Sequence, residues 1–145
     1  MSSAKAFITK DSLSENKNKD SSINPTGWNS VEINNKEVFN RSYLIDSSFS
    51  KDSLDVAENI FTGTVNLNTS DQSGMVHYEN LVRDSVSKGY SVMLEVIPIY
   101  IEDNLVPIGI QMRAISYGND YLDFNVFIYN VENGVTINYA TGSVK

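Results

Sequence analysis

The apolar positions of this chain change period along its length. From Gly74 to Lys88 they recur at helical spacing, at Met75, Tyr78, Val82 and Val86, and Lys88-Gly89 supplies a basic last turn and a stop, which predicts a helix. Further on, Leu122, Phe124, Val126 and Ile128 alternate with more polar neighbours, the pattern of a strand with one face in a core. Tyr90 to Ile101, Leu105 to Tyr117, Tyr121 to Val131 and Val135 to Tyr139 are separated by Glu102-Asp103-Asn104, Gly118-Asn119-Asp120 and Glu132-Asn133-Gly134. Such short turns imply consecutive antiparallel strands.

The first half is less regular. Ala6 to Thr9 reads as a short strand, and Lys10 to Asn24, with few apolar residues, as a solvated loop. Pro25-Thr26-Gly27-Trp28 is a turn, and Val31 to Ile33, Asn34-Asn35, then Glu37 to Ile45 read as a hairpin that ends near Tyr43. Ser50 to Asn59 suggests a short helix or turn, whereas Phe61 to Asn68 follows no period. The expected class is α+β, an antiparallel meander packed on one main helix, with no internal repeat and one domain over 1–145.

The helical period also isolates one charge. At about 100° per residue, Glu79 falls beside Met75 and Val86 on the stripe that should be buried. A buried carboxylate needs a partner, a proton or a metal, and the sequence offers an ion pair with Arg83, bonds to loop amides, or a site. His77 lies on the opposite side of the helix and reads as an exposed histidine; Asp103, Asp120 and Glu132 sit at turns, where acidic residues serve local hydrogen bonds.

Composition narrows the chemistry. The chain has no cysteine and one histidine, which removes thiol nucleophiles, disulfides and any metal site that needs two imidazoles. Magnesium or calcium held by oxygen remains possible. The longest apolar run, Val96 to Ile101, is far below the ~20 residues of a membrane span. The opening residues show no signal-type segment, which leaves localisation open. A net charge of -7 opposes non-specific attraction to nucleic acid.

Seven stretches in order, NPTGW (24 to 28), FNRSYLI (39 to 45), ENIFTGTVNLN (58 to 68), SGMVHYENLV (73 to 82), IPIYIEDNLVPIGIQMRA (97 to 114), FNVFIYNV (124 to 131) and INYATG (137 to 142), resemble the DNA/RNA non-specific endonucleases. The likeness covers nearly the whole chain and is strongest to secreted DNases and DNA-entry nucleases of Gram-positive bacteria. It implies a ββα-metal fold of the His-Me finger type. It also implies sequence-independent hydrolysis of DNA or RNA with Mg²⁺ (or Mn²⁺), and a secreted protein.

That family's first signature is Asp-Arg-Gly-His or Asn-Arg-Ser-His, whose histidine is the general base. Here the matching residues are Asn40, Arg41, Ser42 and Tyr43, so a tyrosine holds the base position. A Thr-Gly-Thr-x-x-x-Asn pattern maps onto Thr62, Gly63, Thr64 and Asn68, which makes Asn68 the metal ligand. The glutamate near the metal water maps onto Glu79, so the resemblance favours a site over the other two readings. Arg41, Tyr43 and Glu79 are the catalytic positions, and Asn40, Ser42 and Thr64 are expected to meet substrate. Where many relatives carry a phosphate-binding arginine, this chain has Val65.

A phenol with a pKa near 10 is ionised about one part in a thousand at neutral pH, while an imidazole near 6.5 is available as a base. The expected loss is the roughly 10² to 10⁴ that base catalysis is worth, unless a metal or Arg41 lowers the tyrosine pKa. Two functions follow: a weak Mg²⁺-dependent endonuclease, or a catalytically degenerate nuclease fold that binds nucleic acid, weakly, or a protein partner.

Overall fold

The computed structural model describes residues 2–145. Four strands carry the second half and the N-terminus: β1 (Ala4–Ile8), then β6 (Val92–Ile99), β7 (Gly109–Ser116) and β8 (Asp123–Tyr129). They form one antiparallel sheet in the order β1-β6-β7-β8, with Leu94 opposite Ala114, and Met112 opposite Val126. Alternation puts Val92, Leu94 and Val96 of β6 on the buried face with Ile110, Met112 and Ala114 of β7. The main helix α2 (Met75–Ser87) covers that face with Met75, Val82 and Val86, within one residue of the span its periodicity indicates.

Between β1 and α2 lie four short strands and a short helix: β2 (Glu32–Ile33), β3 (Lys36–Glu37), β4 (Phe39–Tyr43), β5 (Ile60–Thr64) and α1 (Val65–Thr69). Asn34 and Asn35 both take positive φ, 54° and 63°, as a tight hairpin turn requires, and β2 pairs with β3 across them. The expected hairpin is thus shorter than drawn, because β4 leaves β3 and pairs instead with β5, Tyr43 opposite Ile60 and Asn40 opposite Gly63. Every residue of β5 is buried, which is why its run shows no alternation.

Two expectations are corrected. Val135 to Tyr139 is not a strand: Ile137 bridges Val144, and Thr136 exchanges backbone bonds with Lys145, because the chain doubles back through Gly142 at φ 92°. Lys10 to Asn24 is not simply a solvated loop. The Asn18 side chain accepts from Ser47 N at 2.8 Å and donates to Asp46 at 3.1 Å, Ser14 N donates to Ser48 O, and Ser21 is buried. Its polar sequence docks by hydrogen bonds, which no hydropathy pattern reveals.

Candidate active site

Strand β4, backed by β5, and Asn68 of α1 form one wall of a cleft of about 620 Å³. Gly63 permits the close approach of the two strands, since a Cβ there would lie 2.4 Å from Ser42 Oγ. Helix α1 starts where β5 ends, with Thr64 as its cap: Thr64 Oγ1 accepts from Leu67 N at 3.0 Å and donates to Val131 O at 2.8 Å, while Thr64 N donates to the Asn130 side chain. One turn on, Asn68 comes back over β4, and its Nδ2 donates to Asn40 Oδ1 at 3.1 Å.

The structure brings Asn40, Arg41, Tyr43 and Asn68 together on the cleft wall, with Trp28 and Lys19. It does not bring Ser42 and Thr64 there. Both are fully buried, Ser42 donating to Asn40 O and Thr64 capping α1, so these two hydroxyls hold the site's shape. Glu79 is not on the cleft wall either. His77 lies half-buried with its ring edge-on to Tyr78, away from the cleft.

Arg41 is held by neutral partners. Its Nε and Nη2 reach Asn24 Oδ1 at 3.1 and 2.7 Å, and its guanidinium lies 4.4 Å from the centre of the Trp28 ring. Among the described residues it makes no ion pair, so its charge stays available to a phosphate.

Tyr43 is 2% exposed, and its hydroxyl donates to Asp55 Oδ1 at 3.0 Å. Burial raises the phenol pKa, and the hydrogen bond to Asp55 and that carboxylate's charge raise it further, against a smaller opposing effect from the Lys19 backbone. The exception to the expected loss, a phenol acidified by a metal or Arg41, gains nothing from Arg41, which is not among the groups that shift the phenol. The charged group bonded to Tyr43 is an anion.

Glu79 is 5% exposed and makes no side-chain hydrogen bond among the described residues. Arg83, its expected partner, turns instead to Asp46 Oδ2 at 2.9 Å, Ser48 Oγ and Asn80, and lies over the Phe49 ring. Neither the ion pair nor the loop amides account for the carboxyl. Its pKa is pushed up to about 8, by burial first and the Asp46 carboxylate second, with Arg83 opposing. Such a group is protonated at neutral pH until a nearby cation ionises it.

The donor set fits one hard, well-hydrated divalent ion. No group of three or more His, Asp or Glu side chains suited to a metal exists among the described residues. Asn68, with its Nδ2 engaged by Asn40, keeps its Oδ1 free of hydrogen bonds among the described residues, a neutral oxygen donor on the cleft wall. An ion with one protein ligand and several waters is the habit of Mg²⁺.

Sequence reasoning assigned no role to Asp55, Asp46, Asn24 or Asn130. Asn24 and Trp28 do stand in the quoted NPTGW stretch, and Asn130 in FNVFIYNV, so the motifs held that signal. Asp55 and Asp46 carried none, since their partners lie 12 and 37 residues away in sequence.

The sequence profile of a DNA/RNA non-specific endonuclease family matches residues 1–118. No curated protein matches the chain. Among solved structures, NucA from Streptococcus agalactiae with magnesium bound is 28% identical over 99% of this chain and 73% of that one, with a TM-score of 0.90. The metal-free NucA structure gives 27%, 99%, 72% and 0.87. Sda1 nuclease with bound zinc gives 23%, 99%, 76% and 0.86, an identity that speaks for the ββα-metal fold alone. This chain belongs to the DNA/RNA non-specific endonuclease family.

Proposed function

We propose that the protein is a divalent-metal-dependent, sequence-independent endonuclease, weakly active because Tyr43 stands at the base position. The observation that carries this reading is the cleft wall itself, which holds, among the described residues, an arginine with no acidic partner and an asparagine with a free oxygen together with Tyr43. Asn68 would hold Mg²⁺ or Mn²⁺ together with waters, Glu79 would ionise and orient a metal water, and Arg41 would meet the phosphate. The ion supplies charge neutralisation on the phosphodiester. A secreted location, and DNA or RNA as a weakly bound polymer, follow from the same family likeness.

The second reading, a binding module on a degenerate fold, is favoured by the state of Tyr43: buried, bonded to an anion and harder to ionise than a free phenol. Plasmid nicking with Mg²⁺ or Mn²⁺, wild type against Tyr43→His, separates the two. Under the nuclease reading the histidine variant cleaves faster, by up to the ~10² to 10⁴ that a positioned base is worth. A histidine variant that binds the metal and stays inert leaves the binding module.

A further inference from the structure

Tyr43 lines the cleft, and its hydroxyl is bonded to a carboxylate that lines a second cavity. The cleft also holds Arg41 and Asn68; the second cavity, of about 360 Å³, is lined by Asp55, and Lys19 borders both. The hydrogen bond from the phenol to Asp55 Oδ1, 3.0 Å, links a residue of the cleft wall to a residue of the second cavity. Asp55 is half-buried and ionised well below the usual range, held there by a hydrogen bond from Ser21, with Tyr43 and the Lys19 charge adding to it.

We propose that Tyr43 and Asp55 form a proton relay that stands in for the missing imidazole, with Asp55 as the terminal acceptor at the second cavity. This rests on the nuclease reading of the cleft. As a water attacks phosphorus, its O–H bond breaks and the proton passes to Tyr43 Oη. The phenolic proton moves in the same step along the existing bond to Asp55. The new O–P bond forms, the P–O bond to the leaving sugar oxygen breaks, and solvent water protonates that oxygen. Asp55 then releases its proton to the second cavity. At no point does Tyr43 carry a full negative charge, so its raised pKa does not block the step.

Asp55 acts through Tyr43 and is a positioning residue, so the test must separate basicity from shape. Asp55→Asn keeps an oxygen that accepts from the phenol but takes no proton at neutral pH; Tyr43→Phe removes the relay's middle atom. Nicking kinetics with Mn²⁺ on supercoiled plasmid should show wild-type cleavage, with kcat at least tenfold lower in each variant and with KM and Mn²⁺ affinity unchanged. Asp55→Glu should recover part of the rate. The relay is overturned if Asp55→Asn stays within about threefold of wild type, well short of the roughly 10² to 10⁴ that a positioned base is worth. It is also overturned if wild type does not nick while Tyr43→His does, in which case the nuclease reading stands. If neither nicks with metal bound, that reading fails and takes the relay with it.

Discussion

Glu79→Gln should change how stability depends on pH, and the sign and size follow from the buried carboxyl. In the fold Glu79 holds its proton up to about 8, against 4.5 for an unperturbed glutamate. Between those values the native state binds one more proton than the unfolded chain, so the unfolding free energy falls as pH rises, by ~1.4 kcal/mol per unit. Stability from this group is fully present below 4.5 and lost by the time pH passes 8, a difference of about 5 kcal/mol. Glutamine is neutral throughout and removes the slope.

The measurement is urea unfolding of both proteins in EDTA from about pH 5 to 9, taken as the difference between them. Subtraction cancels groups such as Asp55 and Asp84, whose lowered pKa values act in the opposite sense at acid pH. The difference should move in favour of the variant by several kcal/mol between pH 5 and 8 and then level off. Mg²⁺ should flatten the wild-type slope above pH 7, because a cation favours the ionised carboxylate. A difference that stays constant across this range refutes the reasoning, since Glu79 would then titrate alike in both states.

Asn68→Ala should weaken Mg²⁺ or Mn²⁺ binding in calorimetry, and unchanged binding would remove Asn68 from the metal site. Double-stranded DNA affinity should fall only about tenfold from 50 to 200 mM salt, the loss for two phosphate contacts, Arg41 and Lys19 being the only cations on a cleft wall that also carries Asp20, Glu32 and Glu37. A thousandfold loss would reveal a basic track elsewhere. Thr64→Val removes the α1 cap and the bond to Val131 O, and should cost about 1 to 2 kcal/mol in thermal or urea unfolding. No change there would return Thr64 to the candidates for substrate contact.

What the sequence revealed depended on how each segment earns its stability. Helix α2 and strands β6 to β8 bury one face, so their period shows, and the helix ends were legible from Lys88-Gly89. The Asn34-Asn35 turn was legible because its positive φ angles favour such residues. β5 and α1 were not, since a strand buried on both faces and a five-residue helix have no period to read, and only the resemblance picked out Asn68. The 10–24 segment is held by Asn18 and Ser14, and polar docking of that kind is silent until the partners are seen.

Tyr43 and Glu79 make the same physical point with opposite consequences. Both are ionisable groups driven into the interior of a chain with net charge -7, and both are pushed toward the neutral form, by burial first and a nearby carboxylate after it. For Glu79 the proposed site offers a remedy, since a cation there would oppose both effects and favour the carboxylate. For Tyr43 the carboxylate is hydrogen-bonded to the phenol, so the charge that a cation in the cleft would have to stabilise on the phenol sits beside Asp55. Metal binding can therefore restore one half of the site and not the other. Under the proposed relay, activity passes through the Tyr43–Asp55 bond, and without it an imidazole is needed in its place.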